Sequence, residues 1–446
     1  MRRKNNELKI VYPFAFTFVI PHQFLLGLVF FFMAIFFYNI FLVLYKAGIR
    51  IASLWNNKAK LWLNGRKDIF YRLKFKLGSN SKLIWFHCSS LGEFEQGRPV
   101  IENLRKRIPD SKFLLTFFSP SGYEIRKDYK GVDWVFYLPL DSKRNAKQFF
   151  EIVNPSLVIF VKYDYWYYYL TECKKRNIPL LMVSGIFREE QPFFKWYGNL
   201  HRRMLNRFIH FFVQDKESLQ LLQSININNV TVAGDTRFDR VSEIAESFKP
   251  IEEIEKFCGS SQILVAGSTW PEDEKIIKDA TNNFPDLKII IAPHEIHKEH
   301  IDQLRSIFPG AVLYSQLAVG SSQLATCLII DNIGMLSKLY HYATVTYVGG
   351  GFNKGIHNTL EAAVYGKPVL FGPNYKKFKE AVGLIETGGA ICIESGNELS
   401  TNLKKFLDHK TELELSSKNS FEFVKQSGGA TAKILHYIEA NRLLTS

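Results

Sequence analysis

The sequence predicts an α/β protein of two domains, each built on a parallel β-sheet, behind an apolar amino-terminal helix. Three observations carry this. Residues 10–45 hold no charged side chain, counting His22 as neutral. From Leu83 onward, short apolar runs alternate with polar, helix-forming stretches, the pattern of strands in a parallel sheet covered on both faces. The alternation is interrupted between Val241 and Ser261 by a polar, helical segment with few strand formers. A chain of 446 residues suits two domains better than one. The division expected is an anchor over 1–50, a first domain over 51–240, a linker over 241–261, and a second domain with terminal helices over 262–446.

Within the uncharged span, Phe24 to Tyr45 is almost continuous Leu, Phe, Ile and Val, long enough to cross a bilayer. It lacks a small-residue cleavage site, which favours an uncleaved anchor over a secretory signal. Arg2, Arg3, Lys4 and Lys9 precede it; Lys46, Arg50, Lys58, Lys60, Arg66 and Lys67 follow. The heavier cluster after the anchor favours a cytoplasmic main body. A monotopic anchor with Tyr45 and Trp55 at the interface is the alternative, and a start at Met33 would favour it. The net charge of +14 and pI near 9.3 point to an anionic partner. The basic, aromatic stretches Ser53–Phe75 and Pro192–Arg207 suit anionic headgroups and a phosphorylated lipid better than nucleic acid. Five scattered cysteines without a CxxC pair fit a reducing compartment and argue against structural zinc.

Candidate strands of the first domain are Leu83–His87, Phe113–Phe118, Trp134–Leu138, Leu157–Val161, Leu180–Val183, Phe211–Gln214 and Thr231–Ala233. Those of the second are Ile263–Ala266, Lys288–Ala292, Ala311–Tyr314, Cys327–Ile330, Ala343–Val348, Val369–Phe371 and Ala390–Ile393. Two such domains place a ligand cleft at the carboxyl ends of their strands, so the strand-end loops are where chemistry is sought. After the first strand, Ser90-Leu91-Gly92-Glu93 opens a helix and presents Glu93. It reads either as a general base toward an acceptor hydroxyl or as a helix-start acid favoured by the dipole; Glu95 is the weaker candidate. Lys162-Tyr163-Asp164-Tyr165-Trp166 puts charge and aromatics at another strand end. Arg188 follows a third, and suits phosphate or carboxylate. Arg237 either pairs with Asp239 or faces the cleft.

In the second domain, Ser268 and Thr269 either bind phosphate or sugar or cap the helix that Pro271 begins. Pro293-His294-Glu295 ends the next strand. The richest stretch is Tyr347–Pro373, read as strand, glycine loop, short helix and strand. Gly349, Gly350, Gly351 and Gly355 can bring backbone N–H groups close to a ligand. Asn358 is an N-cap for a helix over 359–365, with Glu361 at the capping-box position. A glycine loop before a helix is a natural phosphate site. Its spacing is neither a dinucleotide fingerprint nor a Walker loop, so no nicotinamide cofactor or NTPase follows.

Taken together, Ser90–Glu93, Gly234–Asp239, Gly267-Ser268-Thr269, Asp331–Leu336, Gly349–Pro373 with His357-Asn358 and Leu360-Glu361-Ala362-Ala363, and Phe378-Lys379-Glu380 resemble the 3-deoxy-D-manno-octulosonic acid (Kdo) transferases of lipopolysaccharide assembly. The resemblance covers nearly all of the chain after about Ile40. It implies the GT-B fold, with two Rossmann-like domains facing a cleft, at the inner membrane with its catalytic domains on the cytoplasmic face. It implies an inverting transfer of Kdo from CMP-Kdo to a lipid A precursor with neither metal nor other cofactor, the membrane surface as a partner, and no nucleic acid. Glu93 is then the catalytic base. Ser268, Thr269, Gly350, Gly351, Gly355, His357, Asn358, Glu361 and Lys379 hold the donor. Asp164, Trp166, Arg188 and Arg237 meet the acceptor. Two departures stand out. Lys162-Tyr163-Asp164-Tyr165-Trp166 replaces an acidic Glu-Thr-Glu-Leu-Trp run, and Pro293-His294-Glu295 replaces Pro-Arg-His. The competing readings are another GT-B nucleotide-sugar transferase or an epimerase, and a non-catalytic membrane-bound binding protein.

Overall fold

The computed structural model describes residues 9–10, 18–19, 22–78, 83–162, 164–319 and 325–444, with side chains of the first helix from Phe31 onward. Arg2, Arg3, Lys4 and Tyr163 lie outside the described residues. The chain divides into two compact units, residues 1–236 with 430–446, and residues 237–429.

The first unit carries a seven-stranded sheet: β1 (Leu83–Cys88), β2 (Lys112–Phe117), β3 (Trp134–Tyr137), β4 (Pro155–Val161), β5 (Leu180–Gly185), β6 (His210–Val213) and β7 (Val230–Val232). Its spatial order is β3-β2-β1-β4-β5-β6-β7, with every pairing parallel. The alternation along β1 explains why this segment is a central strand. Leu83 and Trp85 enter one core, while Ile84, Phe86 and Cys88 enter the other. A strand apolar on both faces is stable only where helices cover both.

The second unit carries β8 (Ile263–Thr269), β9 (Lys288–Pro293), β10 (Val312–Leu313), β11 (Cys327–Ile329), β12 (Val345–Val348), β13 (Val369–Phe371) and β14 (Ala390–Cys392). These are ordered β10-β11-β9-β8-β12-β13-β14, again all parallel. Each of the fourteen strands falls on an apolar run named above, with ends moved by up to three residues.

Two assignments differ from the sequence reading. The terminal helix Ala430–Ala440 belongs to the first unit. Its Ala430, Ile434, Leu435 and Ile438 are buried with Phe94, Val100 and Leu104 on one face of the first sheet. Its amphipathic stripe fits either sheet equally well on paper; only the long-range packing chooses. The segment 241–261 is helical, as read, but packs into the second unit rather than standing between the two. It holds most of a helix over Thr236–Glu246 and all of another over Glu252–Cys258, and Ile254 and Phe257 are buried in the second unit's core.

Before the first sheet lie α1 (His22–Ala52), α2 (Asn57–Asn64) and α3 (Ile69–Leu77). One side of α1 packs on the first unit through Phe31, Ala34, Ile35 and Tyr38. The Tyr38 hydroxyl donates to Asp141 Oδ2 at 2.6 Å, and the Tyr168 hydroxyl donates to Asn39 Oδ1 at 2.9 Å. The other side exposes Phe32, Phe36, Phe37, Phe41, Val43 and Leu44.

Candidate functional site

In each sheet the strand order reverses once beside the first strand of its unit, between β1 and β4 and between β8 and β12. Loops leaving the carboxyl ends there diverge to opposite faces, which opens a crevice where open α/β sheets bind ligands. The candidate residues gather at these two places.

In the first unit, β1 ends at Cys88 and α4 (Leu91–Arg107) begins two residues later. Ser90 is extended at the N-cap, but its hydroxyl does not cap the backbone; it donates to Glu93 Oε2. Glu93 is therefore aimed by a neighbour on its own turn while remaining half-buried. Glu95 is engaged elsewhere, by Arg126 at 2.8 Å.

Across the reversal, Asp164 follows β4 and is buried. Its Oδ1 accepts from the Ser89 hydroxyl, and its Oδ2 lies 2.9 Å from His87 Nε2. His87 Nδ1 faces Thr116 Oγ1 at 2.8 Å, which also accepts from Trp85 Nε1 at 2.7 Å. A fully buried polar chain thus runs from the sheet core to Asp164. His87 and Ser89 were not singled out from the sequence; the signal was a histidine and serines at the end of an otherwise apolar strand. Lys162, also at this strand end, sits at φ 67, a backbone conformation uncommon for a side chain-bearing residue and frequent near sites.

A cavity of about 430 Å³ opens beside Asp164 and Trp166, walled by Tyr38 and Phe41 of α1 and by Phe193 and Met204. Trp166 stacks on Phe118 with centroids 4.6 Å apart. Arg188 is exposed after β5. Arg237 falls in the second unit, where Glu380 holds its guanidinium through both carboxylate oxygens at 2.8 and 3.1 Å. Glu380 is a partner that neither sequence reading of Arg237 named.

In the second unit, Ser268 leaves β8 at φ 54. The neighbouring Thr269 is buried and its hydroxyl donates to Glu274 Oε1 at 2.9 Å, while His300 Nε2 closes on the same carboxylate at 3.1 Å. Of the two readings for Thr269, the hydroxyl is committed to the helix that follows. The glycine loop is held by an acid that sequence reading treated only as helix-start chemistry. Asp273 Oδ2 accepts from Gly350 N at 2.8 Å and Trp270 N at 2.9 Å, and Oδ1 accepts from the Tyr347 hydroxyl at 2.6 Å. Burial pushes the Asp273 carboxyl up, against the pull of these three donors. The Gly350 N–H is therefore spent inside the protein.

Gly350 has φ +91, and a Cβ there would stand 2.5 Å from Gly355 O; at Gly351 it would stand 2.5 Å from Gly372 backbone. The glycines are required by the fold of the loop itself. Asn358 Oδ1 accepts from Leu360 N at 3.2 Å, but the N-cap position is Thr359, whose side chain makes no cap hydrogen bond. Glu361, however, accepts from the Asn358 side-chain amide at 3.0 Å rather than from the cap backbone alone. The helix it opens is one turn, Leu360–Ala363, which carries far less dipole than the seven residues expected. Lys379 is exposed at the start of a helix.

Three rings stack over this loop. His294 lies between Trp270, at 4.7 Å, and His357, at 4.5 Å. Trp270 Nε1 donates to His357 Nε2 at 3.2 Å. Burial first, and the neighbouring His294 second, lower His357 to about 4, so it is a neutral acceptor at physiological pH. His294 occupies the place of the missing arginine as an aromatic surface. Among the described residues no group of three His, Cys, Asp or Glu side chains is placed to hold a metal ion.

The fold and these strand-end sites define a GT-B-type α/β protein. Similar architectures are the UDP-GlcNAc 2-epimerase of Neisseria meningitidis, with a TM-score of 0.56 at 17% identity over 81% of this chain and 100% of that one, and a glycosyltransferase of Rickettsia africae, with 0.54 at 14% over 81% and 99%. A family model for 3-deoxy-D-manno-octulosonic-acid transferase matches residues 67–240. The 3-deoxy-D-manno-octulosonic acid transferases of Rickettsia typhi and Chlamydia trachomatis serovar A are 24% and 27% identical, over 88% and 82% of this chain and 87% of each relative. That of Rickettsia felis is 28% identical over 77% of this chain and 76% of its own. Over most of its length the chain is similar to the Kdo transferases, a likeness that supports a glycosyltransferase of lipopolysaccharide biosynthesis.

Proposed function

We propose that the protein transfers Kdo from CMP-Kdo to a lipid A precursor. The observation that carries this is Glu93, half-buried at the sheet reversal and hydrogen-bonded by Ser90, inside the segment matched by the family. The first unit serves the acceptor and the second the donor. Glu93 takes the proton from an acceptor hydroxyl. The oxygen forms a bond to the anomeric carbon of Kdo as the bond to CMP breaks. Attack opposite the leaving group inverts that carbon. No metal or cofactor enters the step.

Asp164, fixed by Ser89 and His87, orients the acceptor beside Trp166. Ser268, Gly351, Gly355, His357, Asn358, Glu361 and Lys379 surround the donor, with Lys379 neutralising charge. The Trp270–His294–His357 stack offers a flat face to the donor.

The protein sits at the cytoplasmic face of the inner membrane. Helix α1 is apolar enough to cross a bilayer, but Phe31 to Tyr38 is packed on the first unit. Within α1, residues 22–30 precede that contact, and at 1.5 Å per residue they reach about 14 Å, against a hydrocarbon core of about 30 Å. We infer a monotopic helix, with Phe32, Phe36, Phe37 and Phe41 turned to lipid.

The test incubates purified protein with CMP-Kdo, made in situ, and a tetraacylated lipid A precursor. Product mass reports the activity and the number of sugars. Glu93→Gln should lower kcat by about 10²–10⁴-fold while CMP still binds. Full activity of that variant, or no product from the wild type with and without divalent metal, overturns the reading.

A further inference from the structure

A second cavity, of about 610 Å³, lies between the carboxyl end of α1, the α2–α3 segment and the loop after β3. Its lining is mostly apolar, yet it holds Lys46, Arg50, Arg66 and Lys67 against a single carboxylate, Asp68. No ion pair involves any of these four cations among the described residues. Arg66 is the most enclosed. Its guanidinium donates to the carbonyls of Leu138, Trp62 and Phe118 at 2.9, 3.1 and 2.8 Å, and stacks on Trp62 at 3.8 Å. Burial lowers it, to about 9. Neutral carbonyls and ring faces leave its charge uncompensated, and the four cations outnumber the one carboxylate, Asp68, so the cavity carries an excess of positive charge.

This cavity is on the catalytic edge of the sheet. Arg66 clamps the loops that leave β2 and β3 at their carboxyl ends, the same edge from which Glu93 leaves β1. It also shares a wall with the smaller cavity beside Asp164. Phe118 packs on Trp166 at 4.6 Å and on Trp62 at 5.7 Å, and those indoles line the smaller and the larger cavity respectively. Trp62 Nε1 and Trp166 Nε1 are both buried donors with no acceptor among the described residues, and an unsatisfied buried donor is costly.

We propose that the larger cavity seats a phosphate group of the lipid acceptor while its sugar reaches Asp164 along the Trp62–Phe118–Trp166 wall. The assignment rests on the acceptor being a lipid, as proposed above, and adds which group is recognised and where. A phosphate supplies negative charge and an oxygen for the Trp62 indole, which lines this cavity. Lys46, Arg50 and Lys67 are exposed and flexible enough to close on it, and Arg66 is held ready. The exposed apolar face of α1 brings the acyl chains to the same side.

The test is the triple variant Lys46→Ala, Arg50→Ala, Lys67→Ala in the full chain, with Arg66 left intact to preserve the loops. Binding of the phosphorylated lipid A precursor and of its dephosphorylated form is followed by tryptophan fluorescence in neutral detergent, without donor. Wild type should prefer the phosphorylated form by roughly ten-fold or more, the worth of one charge-assisted contact, and the triple variant should lose that preference. In transfer assays KM for the acceptor should rise by a similar factor with kcat little changed. A variant that keeps the preference overturns the proposal. So does one that loses only its adhesion to phosphatidylcholine vesicles containing phosphatidylglycerol, which would make the cavity a bulk headgroup site. A wild type that binds with the preference but transfers no Kdo leaves the seat standing and overturns the assigned reaction instead.

Discussion

Asp141 is the group whose titration should be felt across the first unit. It lies after β3, buried, where the Tyr38 hydroxyl of α1 and the N–H groups of Tyr168 and Tyr169 all donate to it, at 2.6, 3.0 and 3.1 Å. Burial nevertheless wins over these donors and over the more distant Arg207 charge, raising the carboxyl from 3.8 to about 6. The folded chain therefore holds this proton more tightly than the unfolded chain. The resulting stability is fully present below the unfolded pKa near 4 and is lost as pH rises through 6. A shift of about two pH units is worth about 3 kcal/mol, or a melting shift of roughly 6–12 °C for a unit of this size. Other carboxylates titrate over the same range, so the informative quantity is a difference. Urea unfolding in neutral detergent, compared between wild type and Asp141→Asn, should show the gap moving by about 3 kcal/mol in favour of wild type from pH 7 to pH 4. Tyr38→Phe removes a donor that lowers the carboxyl, so its window should move to higher pH. Parallel stability curves for wild type and Asp141→Asn would refute the reasoning, because they would mean that Asp141 binds its proton equally in both states.

Other consequences follow from single contacts. Gly350→Ala places a Cβ 2.5 Å from Gly355 O at φ +91; it should cost about 1–3 kcal/mol and weaken CMP binding measured by calorimetry. His294→Ala removes the neighbouring imidazole and part of the burial that lower His357; an NMR titration should show His357 rising from about 4 toward its ordinary value, and an unmoved midpoint would count against the stacked arrangement. Truncation after Gly429 strips Ile434, Leu435 and Ile438 from the first core; at roughly 1.5–3 kcal/mol for each fully buried side chain, the first unit should become protease-sensitive or insoluble.

The sheets were legible because their strands are apolar on both faces and bounded by turn residues, a signal that survives without any knowledge of the neighbours. The loop hosting Glu93 was legible for a related reason, since its chemistry lies within four consecutive residues. What the sequence hid were partners distant along the chain. Tyr38 reads as one more residue of an apolar run until Asp141, over a hundred positions on, is placed against its hydroxyl. Arg237 reads as a partner of Asp239 or a cation facing the cleft until Glu380 takes both of its amino groups.

The glycine loop illustrates the same limit at the site itself. Its composition speaks for backbone N–H groups offered to a phosphate, and local pattern supports that reading. Asp273 comes from a different strand–helix connection and claims the Gly350 N–H, an exchange that no spacing within Tyr347–Pro373 reveals. The loop therefore contributes shape before it contributes charge: Asp273 fixes it from beneath, and Gly350 and Gly351 let it fold against Gly355 and Gly372. On the proposed function, donor recognition falls to what that shape presents, namely the remaining loop backbone, the His294–His357 ring faces and the exposed Lys379. A carboxylate that binds the loop so tightly makes Asp273→Asn a sharper probe of donor affinity than any single loop glycine. It keeps the volume but replaces one acceptor oxygen with a donor that faces an N–H or the Tyr347 hydroxyl. Weaker CMP binding with an unchanged acceptor KM is the expected result, and equal loss on both sides would place Asp273 in general stability rather than in the donor site.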